Sequence, residues 1–213
     1  MTSAKDAVGA LRDEVCRANI ELWRRGLATF TFGNASAIDR SHGLIVIKPS
    51  GVPYADLRPE MLVVTDLDGR VVEGKLRPSS DLLTHVVLYR AFAQIGGVVH
   101  THSHYAAVWA QSRREIPCLG TTHADYFHGP VPITTHLEGA EIRADYEENT
   151  GHAIVRRFAR LDPIMVSARA GVPSGSNGSP RRPSRTAKAA SIESDRSGGG
   201  KRSLPRARPN LRA

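Results

Sequence analysis

Cysteine is nearly absent: Cys16 and Cys118 are the two in 213 residues, too few for a disulfide framework. Both sit among mostly apolar neighbours and read as free thiols in a reducing compartment. No apolar run approaches the roughly 18 residues of a membrane span. Residues 1–12 lack the basic-then-apolar order of a secretion signal. The expectation is a soluble cytoplasmic protein with no membrane partner. Aromatic residues are scarce too, 6 % overall and none after residue 165.

The sequence is not short of positive charge. A net charge of +8 ordinarily suggests nucleic acid or an anionic membrane as partner. Its location argues otherwise. Residues 166–213 hold 11 Lys and Arg against 2 Asp and Glu, whereas residues 1–165 hold 18 against 19. In the last 48 residues Gly, Pro and Ser account for 20, with no periodicity of either kind. The division expected is a folded domain over 1–165, long enough for a sizeable core, and a basic disordered tail over 166–213. A nucleic-acid-binding arm is the weaker reading of that tail.

Within the domain, Leu11, Val15, Ala18 and Leu22 recur at helical spacing, which predicts a helix over about 3–25 with Gly26 as its C-terminal cap. Residues 29–32 alternate like a strand before the turn signal Gly33-Asn34, and 35–39 return as a second strand. Residues 44–47 form a buried strand. Residues 61–64 and 71–72 flank Asp68-Gly69 as a hairpin. Leu82, Leu83, Val86, Val87 and Phe92 form a helical stripe suited to core packing. Gly96-Gly97 precedes a strand ending in histidines. A short helix is expected over 105–111 with Ala106, Ala107 and Trp109 packed closely, then loop and strand over 117–127, and a last helix over about 145–159. Hairpin-length connections make the expected fold α/β (α+β), with a central, mostly antiparallel sheet flanked by helices.

The chemistry-bearing stretch is Val98-Val99-His100-Thr101-His102-Ser103-His104. In a strand, His100 and His102 share a face, and two imidazoles on one face can begin a zinc site. Asp81, in Pro78-Ser79-Ser80-Asp81 before the apolar helix, is the best candidate for a third ligand. Histidines with hydrogen-bond partners and no metal are the bland alternative. Gly33-Asn34, Ser50-Gly51 and Ser79-Ser80 each combine small hydrogen-bonding groups with turn or helix-start backbone, which is what a phosphate needs. Taken singly, each is a turn or an N-cap. Asp125, in a polar aromatic-flanked loop, is a candidate general acid or base, or else a loop cap.

Five segments carry a resemblance: Phe32-Gly33-Asn34, Ile47-Lys48-Pro49-Ser50-Gly51, Pro78-Ser79-Ser80-Asp81, Val99-His100-Thr101-His102-Ser103 and Gly120-Thr121-Thr122-His123-Ala124-Asp125-Tyr126-Phe127. In that order they resemble the class II aldolase/adducin family, and within it the L-ribulose-5-phosphate 4-epimerase branch. The resemblance implies zinc, or another divalent metal, at Asp81, His100, His102 and a further family His. It implies phosphate held by Gly33, Asn34, Ser50, Gly51, Ser79 and Ser80. Asp125 would act as acid/base on one face of the substrate and a late tyrosine on the other. The implied reaction is retro-aldol cleavage of L-ribulose 5-phosphate between C3 and C4, followed by re-addition on the other face to give D-xylulose 5-phosphate. A homotetramer with sites between subunits is implied as well. Asp81, where sister aldolases carry Glu, and the 121–127 run favour epimerase over aldolase. The alternatives are a class II sugar-phosphate aldolase and a non-catalytic adducin-like scaffold.

The chain departs from the family pattern late. Its last His is His152 and its last Tyr is Tyr146, both earlier than the family's third metal His and second acid/base Tyr. Ala168-Arg169-Ala170-Gly171-Val172-Pro173 stands where the His turn belongs. The abrupt change in composition is what a slipped reading frame near codons 163–168 of a GC-rich gene would produce. The expectation is therefore impaired activity.

Overall fold

A computed structural model describes residues 4–126 and 129–158. The tail reading over 166–213, the 168–173 segment and the frame slip lie outside the described residues.

Helix α1 (Ala4–Arg24) ends as its sequence predicts. Gly26 takes φ +69°, the Leu27 N–H reaches Leu22 O at 2.9 Å and the Gly26 N–H reaches Trp23 O at 2.9 Å, a Schellman closure. Five strands follow: β1 (Asn34–Asp39), β2 (Leu44–Ile47), β3 (Val63–Thr65), β4 (Val71–Glu73) and β5 (Gly97–His100). They form one sheet of order β4-β3-β2-β1-β5, with every pairing antiparallel. Helix α2 (Leu82–Ala91) lies between β4 and β5 in sequence. Helices α3 (His104–Gln111), α4 (Thr121–Tyr126) and α5 (Gly139–Phe158) follow the sheet.

The sheet is covered on both faces, which explains why β2 reads as an unbroken apolar run rather than an alternation. Val46 and Val64 pack with Val8, Val15 and Cys16 of α1 on one face. Ile45, Ile47 and Val63 pack with Leu82, Val86 and Tyr89 of α2 on the other. Helix α5 closes over α2, so tightly that a Cβ at Gly151 would stand 2.7 Å from Val87 Cβ. Of the two free thiols, Cys16 is buried and Cys118 is partly exposed.

Four local expectations are corrected. Residues 29–32 are not a strand: Phe30 takes φ +53° and is 83 % exposed, because the chain turns there to enter β1. Residues 121–126 are helical where loop and strand were expected. Helix α3 buries no residue, so Ala106, Ala107 and Trp109 pack only partially. The last helix begins earlier, at Gly139, and is interrupted at Asp145, whose backbone is extended (φ −158°, ψ 102°).

Candidate functional site

The open side of the β1–β5 end of the sheet forms a cavity of about 500 Å³, within the range of small-ligand sites. Eight of the ten residues expected from the sequence line it: Gly33, Ser50, Gly51, Ser79, Ser80, Asp81, His100 and His102.

The three short loops meet for identifiable reasons. Ser50 N donates to Arg77 O at 2.9 Å and Ser79 N donates to Lys48 O at 3.0 Å, an isolated bridge joining loops that are remote in sequence. Gly33 (φ +78°) passes so near β5 that a Cβ would lie 2.9 Å from His100 O. The Tyr54 hydroxyl holds that turn, donating toward Gly33 O at 2.7 Å and Phe32 O at 3.0 Å. Burial, followed by the charge of Asp81, pushes Tyr54 up to about 12.

Asn34 does not line the cavity; it is buried behind it. Its Nδ2 donates to Asp81 Oδ2 at 2.5 Å and to Ser79 Oγ at 3.1 Å. Asp81 occupies the N-cap position of α2 but makes no side-chain cap bond. Its Oδ2 instead accepts from Asn34, from Ser79 Oγ at 3.3 Å and from His100 Nδ1 at 2.9 Å. Burial raises the Asp81 carboxyl, but His100, His85 and the Asn34 amide outweigh it and hold the group down at about 2. An ionised carboxylate only accepts, so His100 donates from Nδ1, and in the neutral ring Nε2 then holds the lone pair.

The two histidines converge by a route the strand pattern does not describe. Strand β5 stops at His100 because its partner β1 begins at Asn34, opposite His100, and no ladder continues beyond. His102 lies outside the strand. Even so, the two imidazoles stack with centroids 4.8 Å apart, and Phe32 stands 5.7 Å from His102.

The donor set suits a metal in part. His100 Nε2 is buried and without a hydrogen-bond partner, and its opposite nitrogen is anchored by a carboxylate, the pattern of an imidazole ligand oriented by its outer shell. Among the described residues no three His, Cys, Asp or Glu side chains are gathered to hold an ion. The reason is local: Asp81 is turned toward His100, and the His100 and His102 rings stack on each other.

Asp125 is exposed on α4 and does not line the cavity. Lys48 and His85 also line the cavity and were not singled out from the sequence as site residues. Lys48 is 1 % exposed, its amine 4.8 Å over the Tyr54 ring, and burial lowers it to about 8. His85 is 1 % exposed, its Nδ1 2.7 Å from Ser36 Oγ; burial first, opposed by Asp81, brings it down to about 4. The signal that could have found His85 was its place one helical turn after Asp81.

No helix among the described residues is long and apolar enough to cross a membrane. The chain is similar to the L-ribulose-5-phosphate 4-epimerase UlaF of Salmonella paratyphi B (strain ATCC BAA-1250 / SPB7), 53 % identical over 154 residues, covering 72 % of this chain and 68 % of that protein. In fold it is similar to an L-fuculose 1-phosphate aldolase (TM-score 0.57, 22 % identity, 75 % of this chain and 87 % of that one). The L-fuculose-1-phosphate aldolase of Thermus thermophilus is alike to a similar degree (TM-score 0.55, 24 % identity, 70 % of each chain). The model of the Class II Aldolase and Adducin N-terminal domain family matches residues 13–174, and the chain belongs to that family.

Proposed function

We propose that the cavity is the front part of a zinc-dependent sugar-phosphate 4-epimerase site acting on L-ribulose 5-phosphate. The observation that carries this is the Asp81–His100 pair with its buried, unpartnered Nε2, set among three small-residue loops. His100 and His102 would hold a divalent cation, which when bound would supply Lewis-acid polarisation of substrate oxygens. Asp81 keeps the His100 proton on Nδ1 and so keeps Nε2 basic. Gly33, Ser50, Gly51, Ser79 and Ser80 offer the substrate's phosphate hydroxyls and turn N–H groups, with the Lys48 amine as positive charge beneath them. Asn34 acts from behind by holding Ser79 and Asp81.

The reaction breaks the C3–C4 bond to an enolate and glycolaldehyde phosphate, then re-forms it on the opposite aldehyde face. Asp125, remote from its own cavity, serves as acid/base in the cavity of a neighbouring copy, which requires a homo-oligomer, as a tetramer provides. A soluble, cytoplasmic setting suits such chemistry. Within these 213 residues no His follows His152 and no Tyr follows Tyr146, so these residues alone supply neither a late His ligand nor a late Tyr, and their turnover is expected to be low.

The test supplies purified protein with Zn²⁺ and L-ribulose 5-phosphate and follows D-xylulose 5-phosphate. The expected result is conversion more than about 100-fold below that of an intact epimerase, from losing a ligand where even an outer-shell loss costs 10–100-fold. Full-rate conversion refutes the impairment. Accumulation of free glycolaldehyde phosphate would replace epimerase by aldolase, and binding of neither metal nor sugar phosphate would favour a scaffold.

A further inference from the structure

A fully buried chain of three side chains runs under the cavity floor. Tyr89 Oη lies 2.8 Å from Ser36 Oγ, and Ser36 Oγ lies 2.7 Å from His85 Nδ1. Tyr89 is 0 % exposed, and the Val98 backbone N–H faces its phenol oxygen from β5.

Two proton arrangements are open to this chain. If His85 Nδ1–H donates to Ser36 and Ser36 donates to Tyr89, the phenol proton has no acceptor among the described side chains, and an orphaned buried donor is expensive. If Tyr89 donates to Ser36 and Ser36 donates to His85 Nδ1, both hydroxyl protons are used and the phenol oxygen remains free for the Val98 N–H. The second arrangement leaves no proton stranded.

We infer that Tyr89 and Ser36 lock His85 as the neutral Nε2–H tautomer, making it a fixed hydrogen-bond donor at the cavity floor. A nitrogen that carries its proton offers no lone pair, so His85 is neither the missing third metal ligand nor a base, although it lies one turn from Asp81 and borders the same cavity. In the proposed reaction, on which this consequence rests, His85 is a positioning residue. The charges of Asp81 and His85 act on each other, so the fixed ring helps keep that carboxylate ionised and turned toward His100.

The tautomer is directly readable from two-bond ¹H–¹⁵N correlations of the full chain labelled in histidine. The expected result is a single Nε2–H pattern for His85, unchanged when Zn²⁺ alone is titrated, while the His100 and His102 resonances shift. An Nδ1–H or averaged pattern overturns the assignment, as does deprotonation of Nε2 on adding Zn²⁺. Ser36→Ala is expected to mix the two tautomers, and Tyr89→Phe is the second variant should the first not fold; a pattern unchanged in the folded variant refutes the lock. The lock needs neither substrate nor metal, so a failed epimerase assay leaves these resonances as they are and separates the two ideas.

Discussion

His100 Nδ1 lies 2.9 Å from Asp81 Oδ2, and the opposite nitrogen of the same ring is buried with no partner. The pair joins the last residue of β5 to the N-cap residue of α2 and leaves the opposite ring nitrogen unpartnered. Removing the carboxylate tests this. Asp81→Asn is expected to lower Zn²⁺ affinity about 10–100-fold, measured by competition with a chromophoric chelator. An unchanged affinity would mean that Asp81 does not orient His100.

Acid sensitivity follows from His85 and Asp81. Burial lowers His85 to about 4 from an ordinary 6.5, so the unfolded chain binds the extra proton first and stability falls as pH drops from about 6.5 to 4. The loss approaches about 3 kcal/mol. Asp81, held at about 2, adds a second loss only below about pH 4. Urea midpoints at pH 7.5 and 4.5 read the first effect; equal midpoints would contradict a neutral buried imidazole.

Lys48 sets stability against binding. Its amine is buried, with Pro49 O at 3.3 Å as its hydrogen-bond acceptor, and burial depresses it to about 8. Keeping it charged at pH 7 costs up to about 3 kcal/mol. Lys48→Met should raise the urea midpoint at pH 7 and weaken binding of inorganic phosphate, both measurable on one preparation. A lowered midpoint would show that the amine stabilises the fold.

Two glycines with similar φ separate backbone strain from crowding. Gly51 (φ +73°) has nothing within 4 Å of a built Cβ, whereas at Gly33 the Cβ meets His100 O at 2.9 Å. Gly51→Ala should cost about 1 kcal/mol from φ alone, and Gly33→Ala clearly more, about 2–4 kcal/mol, by forcing β1 and β5 apart. Thermal midpoints of the two variants decide it.

Asp125 provides the test of shared sites. If it serves a neighbouring copy, Asp125→Asn leaves Zn²⁺ affinity unchanged and reduces any measurable turnover by about 10²–10⁴-fold. Turnover per chain of the unaltered protein should also rise with concentration as copies assemble. Turnover independent of concentration, alongside monomers in sedimentation, would remove Asp125 from the mechanism.

The sequence by itself determined what local patterns can carry. The α1 periodicity and its Gly26 cap, the apolar run of β2, the Asp68-Gly69 hairpin and the three small-residue loops each express a backbone preference or a burial that nearby residues dictate. Eight of the ten expected residues line one cavity, because turn glycines, serines before a helix and histidines after a strand keep their chemistry in any setting. The tertiary structure decided what depends on partners far along the chain. Phe30 breaks a strand-like alternation because β1 already has neighbours on both sides. Asp81 faces His100 because β5 and α2 meet beside Asn34, a contact 19 residues removed in sequence. His85 carried no sequence signal of its own, and only the fold sets Ser36 and Tyr89 on its inner nitrogen and the cavity beside it. Asp125, a candidate acid/base from the sequence, is exposed on α4 and lies outside the lining of its own cavity, a placement that only the tertiary structure sets.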